Sequence, residues 1–471
     1  MRAWAILGTM LLASGAAAAA SVAIEPLAPE SEPIGPVWPY HTWETLTLRL
    51  QELVAAHPDI ARLHSAGKSV LGFDLWVVEI ADFLNADKRP LEGREVVWLD
   101  GGTHANEQLG MMLAYLWVEH LLTQYGSDPT ATWIVENRHT YILPMVNPDG
   151  NHMDSRWNAH GVNINRNYPV GWGQVNERVV GNYPGPYAMS EPETRAVVDW
   201  LHKVKPDYFN SFHTGVDMML YPVGYAEIPA KDDAIFARIC QELGETDPSF
   251  CGPVYSTIYP ASGIAVDTAY FDVGAVAWTY EVSREAFAYW SLEDPRIRMD
   301  RYWRGVEHAF LNVHKYGAHL SLVGLSLLDG EASAVVQAVV ENDGYADLAW
   351  ADVTVYLPGG EATKTSIMGL PSGERATLRF AVPRTTAAHA GELALGFEYV
   401  KRLQGEPLRS AYEVFAVEVV EGRLQIVETA GVPILDELAF SEAPVDLPSP
   451  AGVAALAVLG LSAMAIRRRS A

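Results

Sequence analysis

Basic residues are scarce in this chain: 33 Lys and Arg stand against 58 Asp and Glu, a formal charge of −25. Nucleic-acid recognition leaves a basic patch or stripe, so nucleic acid is excluded as a partner. Cysteine is scarcer still, with Cys240 and Cys251 the only two in 471 residues. In an exported chain a pair this close in sequence is expected to be oxidised across a small loop, with buried free thiols as the alternative reading. A comfortable membrane span is also lacking at the C-terminus. The apolar run Ala451 to Ile466 ahead of Arg467-Arg468-Arg469 has sixteen residues, which rise only about 24 Å as a helix against a hydrocarbon core of about 30 Å.

At 471 residues and 49% hydrophobic, the chain can bury a large core and hold more than one domain. Residues 1–20, with Arg2, an apolar run and an Ala-rich end, have the layout of a signal peptide, so the mature protein is expected to be exported. A proline-rich linker, residues 21–39, follows, and no domain-sized prosegment is expected between them and Tyr40.

From Tyr40 strands alternate with helices. Thr42 is placed to cap a helix with Leu46, Leu50, Leu53 and Val54 on one face, ending at His57-Pro58. Strands are expected over Leu75 to Ile80, Glu95 to Leu99, Thr140 to Val146, Asp207 to Phe212 and Val276 to Val282, and helices over Gln108 to Tyr125, Glu191 to Lys203, Asp232 to Leu243 and Arg301 to Tyr316. The pattern is α/β and implies a mixed, mostly parallel central sheet with helices on both faces.

The strand ending at Leu99 halts at Asp100-Gly101-Gly102, and His104 and Glu107 follow it. Ligands collect at the carboxyl ends of strands in open α/β sheets, and imidazole and carboxylate are both zinc ligands. His-x-x-Glu alone is weak, because it arises by chance in long chains. A catalytic zinc takes three protein ligands, and His213, at the end of another expected strand, is the candidate third. Glu281 ends a third apolar strand, an odd place for a carboxylate unless it faces a polar pocket or a structural ion pair.

His104-x-x-Glu107, Asn147-Pro148-Asp149-Gly150, the stretch Gly161 to Tyr168, His213, Thr257 to Gly263 and Glu281, in this order and at these separations, resemble the zinc carboxypeptidases of the carboxypeptidase A and T type. The resemblance covers about Tyr40 to Ala318. It implies one zinc per catalytic domain, held by His104, Glu107 and His213, with Glu281 carrying protons at the zinc-bound water. It further implies that Arg156 steadies the developing oxyanion and that Asn165, Arg166 and Tyr259 grip the substrate's free carboxylate, so that cleavage is confined to the last residue of a peptide or protein. Val266, seven residues after Tyr259, falls where the family floors its specificity pocket, which implies a preference for apolar or aromatic C-terminal residues. Two positions depart from the family pattern: Asn106 stands where arginine is frequent, and Asn163 where aspartate usually orients a zinc-bound histidine.

After Ala318 helical periodicity gives way to alternating strands, as in Ala334 to Glu341, Asp352 to Leu357, Ala376 to Val382, Glu392 to Val400 and Tyr412 to Val419, separated by turns such as Asn342-Asp343-Gly344 and Pro358-Gly359-Gly360. The expected organisation is a catalytic domain over 40–318, an immunoglobulin-like β-sandwich over 319–430, a linker over 431–450 and a hydrophobic anchor or sorting tail over 451–471, through which the protein would be held at a membrane or cell surface. The expected function is that of an exported zinc metallocarboxypeptidase. The alternatives are a peptidase of cell-wall stem peptides and a catalytically inactive binding protein that keeps the fold.

Overall fold

The computed structural model describes residues 40–85, 91, 94–175, 181–245, 247–282, 295–329, 333–356, 362–383, 391–399, 408–420 and 423–428, all within the unit Pro33–Ala471. The signal peptide, both linkers, the C-terminal tail and the turn at 358–360 lie outside the described residues.

Thr42 opens α1 (Trp43–Ala56): its hydroxyl accepts from the Thr45 N–H, and the Thr45 hydroxyl accepts from the Thr42 N–H. Leu46, Leu50 and Leu53 are the buried face. The hairpin β1 (Ala61–Lys68) and β2 (Asp74–Ile80) is followed by β3 (Val96–Gly101), α2 (Gln108–Gln124), α3 (Pro129–Asn137), β4 (His139–Leu143), α4 (Pro148–Met153), α5 (Pro192–Val204), β5 (Tyr208–His213), β6 (Met218–Tyr221), α6 (Asp233–Glu242), β7 (Cys251–Pro253), two short helices α7 (Val254–Thr257) and α8 (Ala265–Thr268), β8 (Val276–Glu281) and α9 (Pro295–Asn312). The eight strands form one sheet in the order β1-β2-β4-β3-β5-β8-β6-β7. Its centre, β4 to β8, is parallel, and β1, β2 and β6 pair antiparallel at the flanks.

The expected strand from Thr140 to Val146 stops at Leu143, because Pro144 has no N–H to donate and the chain turns. The N–H groups of Val146 and Asn147 then bond to the carbonyls of Gly101 and Gly102, which ties together the strand ends that carry the site. The last helix begins at Pro295 rather than Arg301, proline being suited to a first helical turn.

Alternation along β3 puts helices on both faces of the sheet. Trp98 packs toward Trp200 of α5, ring centres 6.5 Å apart, whereas Gly101 lies under α2, where a Cβ would come within 2.7 Å of the Gly110 carbonyl oxygen. Gly110 in turn abuts β5: a Cβ there would lie 2.6 Å from the Phe212 oxygen. Two glycines thus let the start of α2 press onto the strand ends, which brings Glu107 to His213. Cys240 and Cys251 form a disulfide joining α6 to β7.

From Leu320 the chain is antiparallel β: β9 (Leu320–Asp329), β10 (Ser333–Asn342), β11 (Leu348–Tyr356), β12 (Ala362–Leu370), β13 (Arg375–Pro383), β14 (Gly391–Tyr399), β15 (Leu408–Val420) and β16 (Arg423–Glu428). They form sheets β13-β10-β9 and β12-β11-β14-β15-β16 around Val336, Val340, Val353, Leu393 and Phe397. Among the described residues no helix is long and apolar enough to cross a membrane.

Candidate metal centre

β3, β5 and β8 are neighbours, and each ends at the same edge of the sheet: Gly101 pairs with Phe212, and His213 with Glu281. His104 and Glu107 lie in the turn between β3 and α2, closed by the Glu107 N–H donating to the His104 carbonyl at 3.0 Å. Asn147 supports this turn from α4, its Nδ2 reaching the Thr103 carbonyl at 3.4 Å. His104, Glu107 and His213 are all buried, and one nitrogen or oxygen from each falls within 4.8 Å of the others.

The hydrogen bonds decide what this cluster can hold. His104 Nε2 lies 2.9 Å from Asn163 Oδ1, and Asn163 Nδ2 donates to Asn182 Oδ1 at 3.2 Å, so the amide presents its oxygen and the imidazole its Nε2–H. The Nδ1 of His104 is then a lone pair, facing Glu107 Oε1 at 2.9 Å and His213 Nδ1 at 3.1 Å. His213 Nδ1 is also 2.9 Å from Glu107 Oε2. Two imidazoles and one carboxylate converging this closely are a three-ligand set for a catalytic zinc. Burial drives the His104 imidazole down to about 3, so it is neutral at physiological pH, as a ligand must be. Burial alone would raise Glu107, but the two histidines outweigh it and hold the carboxylate well below its ordinary range.

The other residues singled out in the sequence collect around this cluster. The half-buried Glu281 ends β8 beside His213, and its carboxyl is pushed up to about 7 by burial, with the Glu107 charge adding to the shift. Arg156 reaches the cluster from the loop after α4 and its guanidinium pairs with Glu107 Oε1. Asn165 is oriented by the Ala265 N–H, which donates to its Oδ1 at 2.9 Å, and its Nδ2 approaches His213 Nε2 at 3.4 Å. The buried Arg166 donates to the Asn165 carbonyl at 2.7 Å and to the hydroxyl of the exposed Tyr259 at 3.4 Å. Gly263 allows the return loop to pass close, since a Cβ there would lie 2.3 Å from the Arg166 oxygen. Val266 lies in α8 at 1% exposure, within the main core. Its neighbour Asp267 accepts from the Gly224 N–H at 3.0 Å.

Sequence reasoning missed Thr214, which clamps the cluster: its N–H donates to Glu107 Oε2 at 3.0 Å and its hydroxyl accepts from the Gly110 N–H at 3.0 Å. Its place beside His213 was the available signal. Asn182 gave none, because its partner Asn163 is brought to it by a loop.

Comparison with known proteins agrees with this geometry. A profile described as zinc carboxypeptidase matches residues 47–304. Carboxypeptidase A6 of Mus musculus is 30% identical over 268 residues, 52% of this chain and 60% of that protein. Carboxypeptidase B of Bos taurus is 26% identical over 268 residues, 52% of this chain and 63% of that protein. The chain thus spans about 60% of the length of these two relatives. Among solved structures, thrombin activatable fibrinolysis inhibitor aligns with a TM-score of 0.53 at 21% identity, over 58% of this chain and 74% of that one, a likeness of fold. With more than half of its length matched by the family profile, from the first helix through the metal cluster and into the last helix of the α/β domain, the chain belongs to the zinc carboxypeptidase family.

Proposed function

We propose that this protein is an exported zinc carboxypeptidase that hydrolyses the last peptide bond of peptides or proteins, with a preference for apolar or aromatic C-terminal residues. The observation that carries the reading is the convergence of His104, Glu107 and His213 at one sheet edge, with Glu281 paired beside His213 and the buried Arg166 next to Asn165, whose amide approaches His213. Zinc held by the three side chains would polarise the scissile carbonyl and bring the pKa of a bound water from about 15.7 toward 7.

The chain's own groups do the rest. The Glu281 carboxylate takes a proton from the attacking water and passes it to the leaving amine, work suited to a group whose pKa lies near neutrality. Arg156 donates N–H groups to the oxygen on which negative charge develops. Arg166, with Asn165 and Tyr259, binds the terminal carboxylate, which limits cleavage to one residue at a time. The signal sequence and the C-terminal tail support export and retention at the cell surface.

Metal analysis with mass spectrometry of a mixed peptide pool tests the reading. The expected result is one zinc per chain and peptides shortened from their C-termini, with those ending in Lys or Arg slowest. A zinc-loaded protein that cleaves stem peptides of the cell wall but leaves this pool intact would establish the stem-peptide alternative, and one that leaves both intact the binding-protein alternative.

Asn163 supplies a second test, because it accepts from the His104 ring at 2.9 Å through a neutral amide. A carboxylate there makes the imidazole a stronger ligand. Asn163→Asp is expected to slow zinc loss to a chelator by about 10–100-fold, the usual range for such partners. Unchanged zinc loss would mean that residue 163 does not touch a zinc ligand.

A further inference from the structure

The metal cluster has two distinct flanks. On one, Asn165 approaches His213 and leads to Arg166 and Tyr259. On the other, His104 touches Asn163 and Glu107 pairs with Arg156. A peptide whose terminal carboxylate is held at Arg166 and whose last bond lies at the cluster continues toward the Asn163 and Arg156 flank.

Two aromatic rings stand on that flank. Trp157 follows Arg156, and its Nε1–H donates to the Gly181 carbonyl at 2.7 Å, with the ring lying over Gly181 so that a Cβ there would meet it at 3.3 Å. Asn182 turns inward, its Oδ1 accepting from Asn163 Nδ2 at 3.2 Å, and the Tyr183 carbonyl accepts from the Asn163 N–H at 2.8 Å. Residues 182–185 have neither helical nor strand hydrogen bonding. Trp157, lying over Gly181, and Tyr183, two residues further along, are exposed at 37% and 53%. Neither ring is used to close the core. Asn163 ties this segment to the cluster: its side chain bonds to His104 and Asn182, and its backbone N–H donates to the Tyr183 carbonyl.

We infer that Trp157 and Tyr183 form a subsite for an aromatic or large apolar side chain of the substrate upstream of the cleaved bond. The inference rests on the carboxypeptidase reading. The hydrogen bonds from His104 through Asn163 to Tyr183 put the tyrosine carbonyl within about 10 Å of the imidazole, a reach of two to three extended residues at about 3.3–3.6 Å each. The favoured residue is therefore the second or third ahead of the bond. Aromatic rings offer a large contact area, and a single aromatic pair changes binding by about two- to tenfold.

The experiment compares an acyl-dipeptide, which ends at the cluster, with pentapeptides ending in Phe that carry Phe or Ala at the second or third position ahead of the bond. The wild-type protein is expected to favour Phe over Ala there by about fivefold in kcat/KM, chiefly through KM, and Tyr183→Ala to abolish the preference while leaving the acyl-dipeptide unchanged. Tyr183→Phe restores it. Calorimetry of the same pentapeptides provides a readout without turnover: the Phe peptide is expected to bind about fivefold more weakly to Tyr183→Ala. Equal losses on both substrate lengths would make Tyr183 structural and overturn the inference. So would pentapeptides bound alike by both proteins, or a Tyr183 dependence confined to stem peptides still joined to their sugars, which would mark the rings as a carbohydrate platform. A wild-type protein that binds the Phe peptide preferentially but cleaves nothing would refute the enzymatic reading and leave the subsite standing.

Discussion

Glu281→Gln is expected to leave the fold and metal content intact and to lower turnover by at least about 10²–10⁴, the range contributed by a positioned acid–base group. Glutamine matches glutamate in shape, and the strand that carries it is anchored independently of the carboxylate: the Val282 N–H donates to the His213 carbonyl at 2.8 Å, and the Tyr302 hydroxyl to the Glu281 carbonyl at 2.7 Å. What is lost is the ability to accept a proton. The pH dependence follows with a definite sign. The base is active when ionised, so kcat/KM falls as pH drops through its pKa, which burial and the Glu107 charge push up to about 7. A cation bound beside it favours the ionised form and moves this acid limb below that value. The Gln variant loses the limb together with the activity. Near-normal turnover in a zinc-loaded Glu281→Gln protein would assign the proton transfer to another group.

Glu281, His104 and His213 were legible because each is a polar residue at the end of an apolar run, and a fully buried parallel strand reads as such a run. Trp98, Leu99, Phe209, Ala277 and Trp278 are all buried, and their strands were placed within a residue or two. β1 was not anticipated, since Arg62, His64, Ser65 and Lys68 give an edge strand without alternation. The four residues of β6 were too few to show a period. In the second domain β12 has only Ile367 and Leu370 buried, so it carries little hydrophobic signal. Contacts made by backbone groups were invisible for a different reason. Thr214 N and Ala265 N orient Glu107 and Asn165 across 107 and 100 residues of chain, and an N–H is common to every residue but proline.

The Asn342-Asp343-Gly344 segment shows a further limit. Its composition marks a turn, and a turn is present between β10 and β11. The fold also uses it as a joint. Tyr345, the next residue, is buried in the core of the α/β domain rather than that of the sandwich, its hydroxyl bonds to Glu242, and the Arg238 guanidinium lies 4.0 Å from its ring centre. Gly344 permits the approach, since a Cβ there would lie 2.3 Å from both the Gly317 oxygen and the His319 nitrogen. Turn chemistry reports the local backbone and is silent on which surface the turn meets.

Val266→Asp is expected to turn cleavage from C-terminal Phe or Leu toward Lys or Arg, reversing the ratio of kcat/KM values by on the order of 10² or more. Under the proposed assignment the side chain of the departing residue meets Val266, an apolar floor. An ammonium or guanidinium placed there has no partner, and an uncompensated buried charge costs about 3–5 kcal/mol, against about 0.8 kcal/mol for each methylene that an apolar side chain buries. Discrimination against Lys and Arg is therefore steep, and discrimination among Leu, Phe and Met graded. An aspartate at the floor inverts both terms, pairing with the basic residue and leaving the apolar one beside an unpaired carboxylate. The substitution also bears on the fold. Val266 is 1% exposed, and the neighbouring Asp267 is already pushed up to about 7 by burial, so a second carboxyl in the same helix is destabilising until a basic substrate neutralises it. Stability and zinc content are therefore measured first, with Val266→Asn as the variant that adds polarity without charge. A folded, zinc-loaded Val266→Asp protein that still prefers Phe would place Val266 in the ordinary core and assign specificity to another wall of the pocket.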